Sequence, residues 1–538
     1  MSTIGLPSAG DTIRLAIPDL DSGLAFLSRL PLANPVQAEL SLNQFFDSLL
    51  AAPPPALTYL NLLEQTRVPL CFVEEELARR YVNKPLPLGD VEEQAFQQVI
   101  AIWRKVTRAY GQCAQLDADA DDPEHPLRVA LVLHRCIYYA SMVIVEHHRA
   151  RRELPRGAWL DLHGYFASAE EWGVATCPLA DSLDPLNRAT HCAAAYAATL
   201  LMDLAGPYSL SVRDQSLIRR WACQWAPLVQ VIAATPGEAL PPFVVDLMQD
   251  AGLKPVADCL MTENVRRLDT SRLGMVLAQA REQLTQRVSP AQAGLGEDCT
   301  SGQCKRLLAH VSRPWTQARA VRKFKRHATS GIAHVGAGFE PIHYLVSGKE
   351  FTQPENTRIY SRQEFDTLFV FRHMEDPTAQ LQSQPVKQVP QPDEWEVVNQ
   401  SASGFRLMRS VAGRKVAHGQ LLGVCPHDGE RYFLAQVTWL MQDRNAGLVA
   451  GIAALPGVPQ AIAARIVGGH GSGEMYSRAF LLPAIPAVSS EQSLVLPQGW
   501  YQAGRAIEIF TDGAWRIRLD HVLQEGPDFE RVSFSLEK

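Results

Sequence analysis

Two arginines spaced four residues apart, in Arg322-Lys-Phe-Lys-Arg326, have the chemistry to hold a phosphorylated ligand. A guanidinium group presents a planar fork of N–H donors that matches phosphate oxygens. At the end of a helix, side chains four residues apart project to the same side. The pair therefore predicts a clamp for an anion.

The arginine pair lies in a basic segment, residues 299–339, which contains no Asp or Glu. The basic residues of this segment are Lys305, Arg306, Arg313, Arg319, Arg322, Lys323, Lys325 and Arg326. Such a segment can simply be the solvated face of a helix, predicted here over 303–324, or it can be a site for phosphates or nucleic acid. The net charge of −6 and the lack of interleaved aromatic residues disfavour a nucleic-acid partner.

A second polar motif, Asn399-Gln-Ser401-Ala-Ser-Gly404, begins 73 residues after Arg326. β-favouring residues from Trp395 precede it and an alternating pattern through Leu407 follows it, so the sequence predicts a hairpin. Asn and Ser side chains can close local hydrogen bonds to the backbone, and Gly404 allows a bend or the close approach of another group. Taken alone the motif is an ordinary turn, and only its context suggests binding.

Residues 1–298 predict an all-α domain, with later helices at 213–234, 243–251 and 269–288. Asp90 and Glu93 form a capping-box pattern, and apolar residues then recur at spacings of three and four. The most apolar stretch, 127–145, is interrupted by charged residues such as Arg135, so it predicts a buried helix and no membrane insertion.

Catalytic and metal-binding patterns are weak throughout the chain. Adjacent histidines in Glu146-His147-His148 do not share a helix face, which favours a solvated helix end over a metal site. With no nucleophile or acid/base constellation, the sequence predicts neither an enzyme nor a cofactor. The ten scattered cysteines and the lack of a signal peptide predict a reducing, cytoplasmic setting.

After the basic hinge, 299–327, the pattern becomes that of β-strands. We expect a barrel at 328–466 that begins with a hairpin of strands at 329–335 and 341–346 and carries an insertion at 349–394. A C-terminal β extension, 467–538, could enlarge this barrel or form a second lobe. The predicted fold class is thus a multidomain α+β chain, helical first and antiparallel β afterwards.

The order of these motifs resembles the PilZ domain, a bacterial receptor module for cyclic di-GMP, over roughly residues 310–455. Arg-x-x-x-Arg, then Asn-x-Ser-x-x-Gly, then a β meander containing Ala435-Gln-Val-Thr-Trp439 carry the resemblance. It implies a six-stranded barrel. It also implies a set of cyclic di-GMP ligands, namely the clamp Arg322 and Arg326 and the opposing wall Asn399, Ser401 and Gly404.

A second arginine pair, Arg358 and Arg362, lies only 37 residues before Asn399 and is an alternative clamp. We prefer the first pair because it lies in the basic segment and leads directly into a predicted strand. The second pair is followed by Glu364 and Asp366.

The resemblance implies a cytoplasmic cyclic di-GMP receptor that couples binding at the hinge to a change in the interactions of the helical domain with a protein partner. The alternative is a scaffold whose degenerate PilZ-like barrel binds a protein and no nucleotide.

Overall fold

The computed structural model describes residues 17–536 apart from 117–121, 185–187, 236–237, 239, 318–326, 355–389, 402, 411, 468–474 and 487–488. The chain forms two compact units. The first contains the residues up to Val321 other than Pro85–Pro87, and the second contains Pro85–Pro87 and the residues from Arg322 onwards. Within the second unit, the backbone of Leu86 exchanges two hydrogen bonds of 2.8 Å with that of Val416.

The first unit is built mainly from helices. Their bounds are α1 Leu20–Leu27, α2 Pro35–Ala51, α3 Ala56–Ala78, α4 Asp90–Leu116, α5 His125–Arg149, α6 Ala158–Glu171, α7 Cys192–Leu204, α8 Val212–Trp225, α9 Ser271–Thr285 and α10 Ser301–Trp315. Side-chain oxygens of Asp19, Asn34, Ser211 and Thr300 cap four of these helices by accepting a backbone N–H of the first turn.

Helix α5 joins the two apolar cores of this unit. Ile137 and Ile144 pack with α6 to α10, while Tyr139 and Val143 pack with α2 to α4. A helix that packs on two sides is apolar over most of its surface. By length and composition α5 could span a membrane, but 78% of its apolar window is buried inside the structure, as the sequence predicted.

The C-terminal turn of α5 corrects one expectation, because Glu146, His147 and His148 are buried rather than solvated. Glu146 accepts hydrogen bonds from Tyr81 at 2.6 Å and from Arg149 at 2.8 Å. Burial lowers the pKa of His147 to about 4 and that of His148 to about 3. The turn is buried because it packs against neighbouring helices, which a helical period alone does not reveal.

Short strands interrupt the helical unit. These are β1 Leu179–Ala180 paired with β2 Ala189–Thr190, and a four-stranded sheet of β3 Gln230–Ala233, β6 Val265–Asp269, β4 Phe243–Asp246 and β5 Lys254–Pro255, in that order. The predicted helix at 243–251 is therefore wrong. Val244 and Val265 are fully buried in the small core of this sheet, which explains why the β-branched residues form strands.

The second unit begins with a barrel. Its strands are β7 His327–Ala328, β8 Ile332–Ala337, β9 Asp393–Ser401, β10 Gly404–Arg409, β11 Leu421–Cys425, β12 Phe433–Gln442 and β13 Leu448–Ala454. The hydrogen-bonded order is β10-β13-β12-β11-β8-β9-β7, and a further pairing of β10 with β9 closes six strands into a ring. This closed antiparallel barrel confirms the predicted fold class.

The predicted hairpin partner at 341–346 is wrong, because Phe339–Ser347 forms the helix α11. Ile342 is fully buried, while Gly338 and Gly348 flank the helix at φ 90° and 68°. A glycine in the left-handed region just after a helix is a common termination. The apolar run was ambiguous between strand and helix because it is short.

A second barrel follows. Its strands are β14 Gln460–Ile466, β15 Ser477–Leu482, β16 Ser493–Pro497, β17 Ala506–Phe510, β18 Ala514–Glu525 and β19 Phe529–Leu536, closed in the order β14-β15-β16-β19-β18-β17. The sequence placed 460–466 in the first barrel, but β14 pairs with β15 and β17. The C-terminal segment therefore forms its own ring rather than an extension of the first.

An apolar layer joins the two barrels. Ile342 of α11, Leu421 and Leu434 of the first barrel, and Phe480 and Phe529 of the second are all fully buried in one cluster. The backbone N–H of Leu421 also donates to Asp528 at 3.0 Å. Separating the barrels would expose this apolar surface to water, so the layer holds them together.

Glu74 in α3 offers a test of the helical core. It is 1% exposed, and neither carboxylate oxygen has a hydrogen-bond partner among the described residues. Burial, helped by Glu39 and Glu146, raises the pKa of Glu74 well above its ordinary value. Above about pH 4.5 the unfolded state releases the Glu74 proton, while the folded state keeps it. The free energy of unfolding therefore falls as the pH rises above 4.5, by about 1.4 kcal/mol per pH unit for as long as folded Glu74 stays protonated.

We expect Glu74→Gln to stabilise the chain by an amount that grows with pH, because glutamine releases no proton in either state. Denaturant unfolding of the variant and the wild type at a series of pH values measures the difference. Glu75→Gln is the control, since Glu75 is 54% exposed and pairs with Arg149 at 2.7 Å. A gain for Glu74→Gln that does not change with pH would contradict a protonated Glu74.

Candidate functional site

The hairpin of β9 and β10 presents the polar motif. Ser401 pairs with Gly404, Gln400 with Phe405, and Asn399 with Arg406. On the opposite edge of β9, Asn399 pairs with Ala328 and Gln400 with His327 of β7. Asn399 therefore lies between β7 and β10.

Two register shifts decide which side chains face outward. Val397 and Leu407 are paired and both point into the barrel, where they are buried. Strict alternation would also turn Asn399 inward, but the register shifts next to it, and Asn399 pairs with the outward-facing Arg406. A second shift between Val437 and Trp439 acts in the same way on β12.

The two shifts align one row of residues across the outer face of the barrel. From strand to strand the row runs Ala328, Asn399, Arg406, Gly451 and Trp439. Directly paired residues share a face of the sheet. The row therefore places a carboxamide, a guanidinium and an indole side by side on an accessible surface.

Arg406 and Trp439 form the centre of this row. The Arg406 guanidinium carbon lies 5.7 Å from the centroid of the Trp439 ring, a cation–π distance. A Cβ on Gly451 would overlap the indole, so only glycine lets the ring lie against β13. The Arg406 Nε is buried and has no hydrogen-bond partner in the described part of the chain. The pair thus offers a flat, positively charged surface.

Ser401 and Gly404 have structural roles in the turn. The Ser401 hydroxyl donates to the carbonyl of Gly404 at 3.3 Å. A Cβ on Gly404 would overlap the carbonyl oxygen of Ile452 on β13. The motif glycine is therefore explained by the close approach of a neighbouring strand, without any ligand.

The predicted arginine clamps lie outside the described residues, since Arg322 and Arg326 fall in 318–326 and Arg358 and Arg362 fall in 355–389. Their assignments stay predictions. Of the other predicted ligands, Asn399 lies in the outward row, and Ser401 and Gly404 close the adjoining turn.

The sequence did not single out Arg406 and Trp439 as ligand residues. Arg406 lies two residues after Gly404 and so on the same strand face, and this spacing could have predicted that Arg406 lies beside the motif. No sequence pattern could have predicted the position of Trp439, because the bulge that turns it outward cannot be recognised from the sequence of β12.

Two family models match this chain. The cyclic-di-GMP receptor FimW N-terminal domain matches residues 21–235, and the FimW C-terminal beta-barrel domain matches residues 462–537. Together they cover more than half of the 538 residues. The chain is therefore similar to FimW in both of these regions. The first match falls in the helical unit and the second coincides with the second barrel.

A curated member of the FimW family aligns with nearly the whole chain. The protein named cyclic-di-GMP receptor FimW from Pseudomonas aeruginosa (strain PAO1) is 23% identical over 528 residues, which cover 91% of this chain and 86% of that protein. Its alignment therefore includes the first barrel, which the two family models leave out. These matches together confirm the resemblance drawn from the sequence, a PilZ-type chain with a helical N-terminal domain.

The packing role of Gly404 gives a direct prediction. Gly404→Ala should destabilise the second unit by about 1–3 kcal/mol, because the added methyl group overlaps the backbone of β13. Chemical denaturation measures the loss. Gly513→Ala, in a turn where an added Cβ meets nothing within 4 Å, should change stability by less than about 0.5 kcal/mol. Equal stability of both variants would contradict the packing explanation.

Proposed function

We propose that this protein is a cyclic di-GMP receptor and that the ligand binds on the outer face of the first barrel. The matched relative is named as a cyclic-di-GMP receptor, and the alignment covers most of both chains. A receptor family favours a binding role over catalysis. Cyclic di-GMP would then be a ligand, and no cofactor is implied.

The pairing of β7 with β9 is the observation that carries the proposed site. His327 pairs with Gln400, beside Asn399 and Ser401. Arg326 is bonded to His327, so its Cα lies about 3.8 Å from that of His327. Arg322 is five residues from His327, within about 18 Å along even a fully extended chain. Both guanidinium groups can therefore reach the ligand face of Asn399.

The same connectivity distinguishes the two arginine pairs. Arg362 lies 31 residues before Asp393, the first residue of β9, so the chain itself does not hold Arg358 or Arg362 close to β9. Arg326, in contrast, cannot leave the neighbourhood of β9 while β7 is paired. This supports Arg322 and Arg326 as the clamp.

The chemistry of the face suits a guanine dinucleotide. Cyclic di-GMP carries two phosphate charges and two purines. Arginines supply charge-assisted hydrogen bonds to phosphate and the O6/N7 edge of guanine. Asn399 can bond a base edge, and the Arg406–Trp439 surface can stack a purine. Ser401 and Gly404 would hold the turn that presents Asn399.

We further propose that binding acts through the hinge in a cytoplasmic protein. The clamp lies in sequence between α10 of the first unit and β7 of the second. A ligand held by Arg322 and Arg326 would favour one arrangement of this segment, and so change how the helical unit meets a protein partner. Such coupling requires that the ligand binds the two arrangements with different affinity.

Titration calorimetry with cyclic di-GMP on the full chain tests the site. We expect Arg322→Ala and Arg326→Ala each to weaken binding about 10- to 100-fold, since a hydrogen bond to a charged group contributes about 1.5–3 kcal/mol. Arg358→Ala and Arg362→Ala are the matched controls and should bind as the wild type does.

Each alternative predicts a different result. Loss of binding only in the Arg358 and Arg362 variants would move the clamp to that pair. No heat from the wild type at micromolar ligand would reject the receptor proposal and favour the scaffold with a degenerate barrel.

Trp439→Ala should weaken cyclic di-GMP binding about 5- to 100-fold, because a base that stacks on an aromatic side chain gains about 1–3 kcal/mol. Trp515→Ala is a suitable control, since Trp515 is 55% exposed on the second barrel. The same titration, with circular dichroism to verify folding, measures both variants. Unchanged affinity in folded Trp439→Ala would exclude the Arg406–Trp439 surface from the ligand site.

A further inference from the structure

Two adjoining cavities lie between α5, α7 and α8 of the helical unit, each with a volume of about 290 Å3. Met202, Arg219, Arg220 and Cys223 line both cavities, so these residues form the wall that the two share. The first cavity also has apolar walls from Val145, Leu210 and Ile218. A mixed lining of this kind is typical of small-molecule sites.

Nearly all the charged side chains around the cavities are paired. The ion pairs are Arg149 with Glu75 at 2.7 Å, Arg220 with Asp298 at 2.8 Å, Arg188 with Asp184 at 2.7 Å and Arg67 with Asp181 at 2.7 Å. The imidazole of His148 is neutral at physiological pH, because burial lowers its pKa to about 3. These pairs leave no spare charge for a ligand.

Arg219 is the exception in the shared wall. Its Nη2 contacts the Met142 Sδ at 2.9 Å, and no carboxylate of the described residues forms an ion pair with it. The nearby Glu146 is already bonded to Arg149 and Tyr81. A partly buried guanidinium loses hydration that a thioether cannot replace, so an anion in the cavity would restore its hydrogen bonds.

We propose that these cavities bind a small amphipathic carboxylate, with its carboxylate on Arg219 and its apolar body along Val145, Met202 and Ile218. One guanidinium fork matches one carboxylate with two parallel hydrogen bonds. Cys223 lies four residues after Arg219 and so on the same face of α8, which completes the wall beside the head group.

A single arginine without an ion pair selects a carboxylate over a phosphate monoester. A phosphate monoester carries close to two charges at neutral pH and needs several donors. Arg219 offers a single fork, and the other arginines of the two linings, Arg149, Arg188 and Arg220, are already bonded to carboxylates. A second negative charge on the ligand would therefore find no second unpaired cation among the described residues of the lining.

Titration of the full chain with decanoate, followed by calorimetry and by thermal unfolding, tests this proposal. We expect saturable binding of decanoate and binding at least about tenfold weaker for decanol, decyl phosphate and decyltrimethylammonium. Arg219→Met should weaken decanoate binding at least about tenfold, and Arg281→Met, an exposed arginine of α9, should not.

Ser216→Trp is a second variant. Ser216 is exposed and lines the first cavity, so an indole ring there should block the entry of decanoate without removing a core contact. Weakened decanoate binding in this variant supports the site even if Arg219→Met does not fold. Equal binding of decanol and decanoate, tighter binding of decyl phosphate, or wild-type affinity in a folded Arg219→Met would overturn the proposal.

Discussion

The pairing of strands around the first barrel, with its two register shifts, determines which side chains point outward on the proposed ligand face. Without the shift beside Arg406, Asn399 would point into the apolar interior with Val397. Without the shift on β12, Trp439 would follow Val437 inward. A polar residue and a large aromatic therefore reach the same outer row only because each strand gains one residue relative to its neighbour. β-bulges commonly redirect side chains in this way near functional sites.

In this geometry the three residues of the Asn-x-Ser-x-x-Gly motif have different roles. Gly404 is required by the carbonyl oxygen of Ile452, and Ser401 bonds within the turn. Asn399 alone of the three lies in the outward row with Arg406. Ser401 and Gly404, which form the hairpin turn, therefore also fix the direction of the Asn399 side chain. A substitution at Gly404 would then act on the proposed binding through the fold, and only one at Asn399 would report on ligand contact.

The sequence predicted the order of helical and β regions and most strands of the first barrel, because apolar periodicity reflects burial. The sequence-based predictions were wrong where tertiary contacts determine the secondary structure or the burial of a residue. Phe339–Ser347 is a helix because Ile342 fills the layer between two barrels, and its short apolar run has no clear period. Val244 joins a small sheet inside a helical unit. Glu146 and His148 are polar yet buried. The outward position of Trp439 depends on a bulge, and a bulge is a property of two strands rather than of one segment.

The apolar layer also limits where a signal can be transmitted. Leu421 of the first barrel and Phe480 and Phe529 of the second are fully buried together with Ile342, so relative motion of the barrels would expose several large side chains. Fully burying each such side chain stabilises the fold by about 1.5–3 kcal/mol, which together exceeds a typical coupling free energy of about 1–3 kcal/mol. A ligand on the first barrel is therefore expected to leave the two barrels fixed. The proposed coupling is therefore assigned to the covalent connections between the two units, and the preferred arginine clamp lies in the one between α10 and β7.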